Sequence, residues 1–131
     1  MTYAKIGAIA WHDLTVANAE AVRDFYSAVV GWTAQPQSMG EYEDYNMLRS
    51  TAGSDGECVA GVCHARGSNV GVPAQWLMYI NVADVDASAA ACEKHGGEVI
   101  VKPRNMGGGR FCVVRDPAGA VCALWQPSPA K

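Results

Sequence analysis

No excess of positive charge runs through this chain: ten Lys and Arg stand against 13 Asp and Glu, a net charge of −3. Without a basic face there is nothing to hold a polyanion, so nucleic acid is excluded as an expected partner. Nor does any apolar run approach the ~20 residues of a membrane span, and the N-terminus has no basic stretch leading into an apolar segment and cleavage site. The expectation is a cytoplasmic protein that does not engage a membrane. No C-x-x-C pair exists among Cys58, Cys63, Cys92, Cys112 and Cys122. Their odd number and their place inside apolar runs argue for buried free thiols, not a zinc site or a disulfide framework. Charged residues make up only 18% of the 131, while half are hydrophobic. That balance supports one globular domain, 1–131, with a core that needs no staples.

What is present is a clear order of local signals. Residues 6 to 16 alternate loosely and read as a strand. Asn18 suits an N-cap with Glu20 in the first turn, and Val22, Phe25, Tyr26 and Val29 recur at helical spacing. Gly31 suits the C-cap because glycine takes the left-handed conformation without strain. Short strands follow at 33–37, 45–49 and 59–64, the last two joined by a loop over 50–56. Gly67 to Pro73 has the composition of a linker. Trp76 to Val82 then reads as a strand, Asp84 as an N-cap, 85–95 as a helix stopped by Gly96-Gly97, and 98–102 as a strand. Gly107-Gly108-Gly109 leads into the clearest element, a hairpin of Phe111–Val114 and Val121–Trp125 around the turn Asp116-Pro117-Ala118-Gly119.

The second half repeats the first. An offset of 66 residues carries Val16 onto Val82, Gly31 onto Gly97, Arg49 onto Arg115 and Gly53 onto Gly119, and it sets Asn18 on Asp84. Matching caps and turns under one shift mark an internal repeat. Each unit reads β-α-β-β-β, unit one over about 5–66 and unit two over about 74–127, with 67–73 between them. One helix covers one face of such a sheet, so an α+β fold is expected in which two tandem units form a cup-shaped mixed sheet with helices outside.

Tandem β-α-β-β-β units, with Phe25-Tyr26 and Val30-Gly31-Trp32 after the first helix and Asp116-Pro117-Ala118-Gly119 before the last strand, resemble the vicinal oxygen chelate superfamily. It includes glyoxalase I, extradiol dioxygenases and bleomycin resistance proteins. The runs Ala10-Trp11-His12-Asp13-Leu14-Thr15 and Ala123-Leu124-Trp125-Gln126-Pro127 look like a glyoxalase-like branch. Metal-using members take ligands from the first and last strand of each unit. The resemblance sets those places on Trp11, Leu77, Ala123 and the neighbourhood of Gly61, none of which binds a metal. The resemblance therefore implies the fold and a homodimer, while these residues argue against the family's usual chemistry, so no metal and no cofactor are expected.

Strand alternation assigns candidate roles. Trp76, Met78 and Ile80, aligned with Ala10, His12 and Leu14, form a row suited to packing beneath helices. Leu77, Tyr79 and Asn81, aligned with Trp11, Asp13 and Thr15, mix aromatic and polar groups as a ligand cavity does. The expected ligand-binding residues are Trp11, Asp13, Tyr79, Arg110 and Trp125, for a small apolar or aromatic molecule. His12 reads as structural, and it enters a metal site only through a one-residue register slip. Asp13 is the candidate acid or base if the protein is an enzyme. Trp32 and Trp76 read as core, and the glycine-rich loop as a flexible cover over the cavity mouth.

Overall fold

The computed structural model describes residues 5–49 and 56–128. In chain order these form β1 (Ile9–Val16), α1 (Ala19–Val30), β2 (Thr33–Ser38), β3 (Glu43–Leu48), β4 (Cys58–His64), a short 3-10 turn (Gly67–Asn69), β5 (Trp76–Asn81), α2 (Val85–Lys94), β6 (Glu98–Met106), β7 (Gly109–Arg115) and β8 (Val121–Pro127). The fold is α+β, with two β-α-β-β-β modules in succession. Two compact units are present, His12–Trp76 on one hand and Met1–Trp11 with Leu77–Lys131 on the other.

In the first unit the strand order is β2-β3-β4-β1, antiparallel except for β4 and β1, which run parallel. In the second it is β5-β8-β7-β6, where β5 and β8 are the parallel pair. The start of the chain joins the second unit: Gly7 N–H donates to Asn81 O at 2.8 Å and Asn81 N–H to Ala8 O at 2.9 Å.

The repeat holds at the level of register. Asp13 pairs with Gly61 across β1 and β4, and Tyr79 pairs with Ala123 across β5 and β8. Asp13 and Tyr79 are 66 positions apart, but Gly61 and Ala123 only 62. The connection from Leu48 to Cys58 is longer than that from Arg115 to Val121 and absorbs the difference. The expected first-unit turn at Ala52-Gly53 lies outside the described residues.

Each helix packs on one face of its sheet. On α1, Ala19 is fully buried and Val22 and Tyr26 pack with it against Tyr45, Met47 and Val62. Phe25 and Val29, expected on the same apolar face, point outward at 55% and 61% exposure. Gly31 ends the helix at φ 80°, where its N–H reaches Ser27 O. Asn18 makes no side-chain cap, whereas Asp84 accepts from Ala87 N at 3.1 Å and starts α2 firmly. Beneath α2 lie Cys112, Val114, Cys122 and Leu124. None of the five cysteines is disulfide-bonded, and Cys63 and Cys112 are buried while the other three are partly covered.

Three expectations are corrected. The strand expected at 98–102 runs on through Pro103 to Met106, with register shifts on both sides of Val101. As an edge strand β6 tolerates a residue without an N–H, and Pro36 sits likewise in the edge strand β2. The glycine-rich loop expected at Gly107-Gly108-Gly109 is a two-residue hairpin turn of Gly107 and Gly108, with Gly109 already paired to Met106 in β7. Finally, Trp76 and Met78 are 36% and 44% exposed and His12 is exposed too, so these members of the row are not packed beneath helices, while Leu14 is buried. The reason is reach: α2 lies over β6, β7 and β8, and α1 over β2 and β4. Trp76 is held by aromatic contacts instead, donating Nε1–H to Tyr26 Oη at 2.9 Å and lying edge-on to Trp32.

Candidate functional site

Each sheet has a second face, away from its helix, and the two faces differ chemically. In the unit containing Leu77–Lys131, reading straight across the strands gives the row Val101, Val113, Ala123 and Tyr79. Their exposures are 2%, 0%, 0% and 4%. The next row is Arg104, Phe111, Trp125 and Asn81, with Phe111 fully buried. Burying side chains of this size stabilises a fold by about 1.5–3 kcal/mol each. Trp125 lies over Gly109, where an added Cβ would stand 2.8 Å from indole Cζ2. Into this apolar surface Asn81 brings a buried amide oxygen with no hydrogen-bond partner among the described residues.

Tyr79 and Trp125 therefore share a face, as expected. Arg110 does not join them. Strand alternation puts it on the side of Cys112 and Val114, where its guanidinium donates to Asp86 Oδ2 and Oδ1 at 3.2 and 2.8 Å and to Asn105 Oδ1 at 3.1 Å. Asp86 belongs to the first turn of α2, so Arg110 is fastened to the helix. An open cleft of about 400 Å³ adjoins it, bordered by Asn105 and Gln126. Gln126 is itself engaged, its Oε1 accepting from Val85 N at 2.8 Å. Trp11, half-buried, belongs to the same unit as Tyr79 and Trp125.

In the unit His12–Trp76 the corresponding row is Asp13, Gly61, Asn46 and Gln35, polar where the other is apolar. Beyond it stand Thr15 and Cys63, which pair across β1 and β4, with Asp44 on β3. Cys63 Sγ lies 3.8 Å from Asp13 Oδ2. Burial, followed by the charges of Asp13 and Asp44, pushes the Cys63 thiol far up, so it stays protonated and donates to the Asp13 carboxylate. Asp44, 6% exposed, accepts the His64 backbone N–H at 2.8 Å and has the His64 ring nitrogen at 3.4 Å. Thr15 is 2% exposed, and its hydroxyl has no partner among the described residues. Asp44 falls just outside the strand expected from Tyr45. Its signal is the alternation of Asp44 and Asn46 with Tyr45 and Met47, legible once β3 is started at Glu43.

A succession of β-α-β-β-β modules, each with a parallel pairing of its first and last strands, defines a glyoxalase-type fold. The chain belongs to the Glyoxalase/Bleomycin resistance protein/Dioxygenase superfamily, whose family model matches residues 5–124. It is 37% identical over 139 aligned positions to the anthracycline biosynthesis protein DnrV of Streptomyces peucetius, covering 96% of this chain and 49% of that protein. It is 35% identical to the anthracycline biosynthesis protein DauV of Streptomyces sp. strain C5, again over 96% of this chain and 49% of the relative. The chain thus spans about half the length of these relatives. Among solved structures it is similar to a methylmalonyl-CoA epimerase variant of Streptomyces coelicolor in complex with 2-nitronate-propionyl-CoA. That likeness has a TM-score of 0.55 at 17% identity and covers 97% of this chain and 99% of the other. The likeness to the epimerases is one of fold.

The residues do not fit the divalent ion of the metal-using members. Ala123 sits between Val113 and Tyr79. At Gly61 the room for a ligand side chain is taken, since a Cβ there would collide with Asp13 Oδ1. Among the described residues no three His, Cys, Asp or Glu side chains gather where they could hold one ion.

Proposed function

We propose that this protein, acting as one glyoxalase-like domain, binds a small, largely apolar or aromatic molecule without a metal, in the manner of bleomycin-resistance-type members of its superfamily. The observation that supports this reading is the row Val101, Val113, Ala123 and Tyr79, which is aliphatic and aromatic and includes Ala123, where the resemblance sets a metal ligand. Trp11, Tyr79 and Trp125 supply flat apolar surface, and the unpartnered Asn81 oxygen supplies one acceptor for a ligand N–H or O–H. Two relatives named for anthracycline biosynthesis favour an aromatic ligand class. Arg110, tied to Asp86, is set aside from this role.

Tryptophan fluorescence titrated with a panel of aromatic and polyketide-like compounds tests the reading. Saturable quenching is expected with some of them, reduced in Trp125→Ala. A flat response across the panel, or one unchanged in that variant, refutes it. Titration with Ni²⁺, Zn²⁺, Fe²⁺ and Mn²⁺ should reveal no stoichiometric site, and a tight one-to-one ion held through His12 would favour a metal-dependent lyase or dioxygenase instead. A second reading, metal-free acid-base catalysis, draws on Asp13 beside the protonated Cys63 thiol. We further propose a cytoplasmic homodimer. Phe25, Val29 and Val30 expose apolar surface on α1 for a second copy, and light scattering coupled to gel filtration reports the mass.

A further inference from the structure

Asn81 brings a carbonyl to the apolar face of the unit containing Leu77–Lys131 and leaves it unmet. Its backbone is fully used, the N–H donating to Ala8 O at 2.9 Å and the carbonyl accepting from Gly7 N at 2.8 Å. The side chain is another matter. It is 7% exposed, and its Oδ1 has no hydrogen-bond partner among the described residues. Asparagine just ahead of a helix commonly serves as its cap, but α2 has no need of this one. Asp84 accepts from Ala87 N, and Gln126 accepts from Val85 N. Across the strand pairing Asn81 stands abreast of Trp125, which pairs in turn with Phe111, and the next row on that side is Tyr79, Ala123 and Val113. Thr15 lies 66 residues earlier, at the equivalent place in the repeat, and its hydroxyl is likewise buried with no partner among the described residues.

A buried carbonyl without a donor weakens a fold, and an aliphatic side chain beside Trp125 would pack without that penalty. A donor on a ligand removes it. The kind of donor follows from the surroundings, because an ammonium would carry a charge and three N–H groups into an apolar surface. A ring amine would bring two N–H groups to one carbonyl. A ring hydroxyl brings a single O–H, which one carbonyl satisfies completely. Resting on the reading that this face receives an aromatic molecule, we infer that Asn81 is a specificity residue. Its Oδ1 accepts the O–H of a hydroxyl borne on the aromatic ring, and it selects hydroxylated ligands over their ethers.

The test uses 2-naphthol and its methyl ether 2-methoxynaphthalene as probes, titrated by calorimetry at pH 7. The two share their rings, so binding of both reports the apolar surface and the difference between them reports the hydroxyl. In the wild type 2-naphthol is expected to bind about tenfold or more tightly than the ether, the scale of one hydrogen bond to a buried group otherwise left unpaired. Asn81→Leu keeps the branch at Cγ and removes the carbonyl. The preference should disappear there through loss of 2-naphthol affinity, with the ether bound as well as before or better. Asn81→Ala, which only trims the side chain, should lose the preference too and separates the missing carbonyl from any crowding by leucine. Equal affinities for the two probes in the wild type, or a preference that survives in either variant, overturn the role of Asn81 and leave the aromatic-ligand reading standing. Binding of neither probe overturns both.

Discussion

Replacing Thr15 by valine tests directly whether its hydroxyl is an orphan in the ligand-free protein. The side chain is 2% exposed and the oxygen has no partner among the described residues. Burying a hydroxyl without a hydrogen bond costs about 1–3 kcal/mol by mutational measure. Valine keeps the branched shape, so Thr15→Val removes that cost without opening a cavity. A gain of about 1 kcal/mol is expected, the low end because neighbouring dipoles in a polar face compensate in part. With an unfolding entropy of about 2 cal/mol/K per residue, 1 kcal/mol in a chain of 131 residues raises Tm by roughly 4 °C. Differential scanning calorimetry, with urea titration as a check that m is unchanged, reads the effect. Thr15→Ser keeps the hydroxyl and loses a methyl, so it should lose stability. If Thr15→Val instead loses 1 kcal/mol or more, the hydroxyl is bonded and the reasoning about that face fails.

Other expectations follow from single contacts. Asp84→Ala should cost about 1 kcal/mol in urea denaturation because it removes the bond to Ala87 N, whereas Asn18→Ala, which removes no cap bond, should cost much less. Gly61→Ala should destabilise by about 1–3 kcal/mol as its Cβ drives into the Asp13 carboxylate, while Gly108→Ala, with nothing within 4 Å, should be tolerated. A double-mutant cycle on Arg110 and Asp86 should give a coupling of about 1 kcal/mol or less, shrinking with salt, because Asp86 is 60% exposed. Burial, helped by nearby Cys92 and Cys122, pushes the Cys112 thiol from 9.0 up to about 12. Between these values the unfolded chain ionises and the folded one does not, so stability should fall as pH rises from about 9 to about 12. Cys112→Ala should flatten that alkaline limb in pH-dependent urea melts.

Much of the scaffold is legible from residue order because its causes are local. Gly31 ends α1 in the left-handed conformation, Asp84 starts α2, and the turn at Asp116 is closed by its own carboxylate accepting from Ala118 and Ala120. Spacing also suffices to identify the repeat. It does not reveal the longer connection after Leu48, since a loop of any moderate length closes at similar entropic cost. Pro103 reads as a strand end in sequence and lies inside an edge strand in space, because only the sheet order tells whether its missing N–H was needed.

The site divides along the same line. Period-two alternation alone sets Tyr79 apart from Met78, and Asp13 apart from His12. Composition alone strips Trp11, Leu77, Gly61 and Ala123 of any power to ligate a metal. Which of two alternating rows is buried depends instead on where the helices lie, and α2 lies over β6, β7 and β8, leaving Met78 on β5 exposed. Arg110 is turned from a ligand candidate into a helix fastener by Asp86, 24 residues away. The meeting of Asp13, Thr15, Asp44 and Cys63 is likewise a product of register across β1, β4 and β3. Local chemistry determines caps, turns and periods because neighbours in sequence are neighbours in space. Convergence of groups from separate strands belongs to the tertiary structure, where cross-strand pairing decides which side chains share a face.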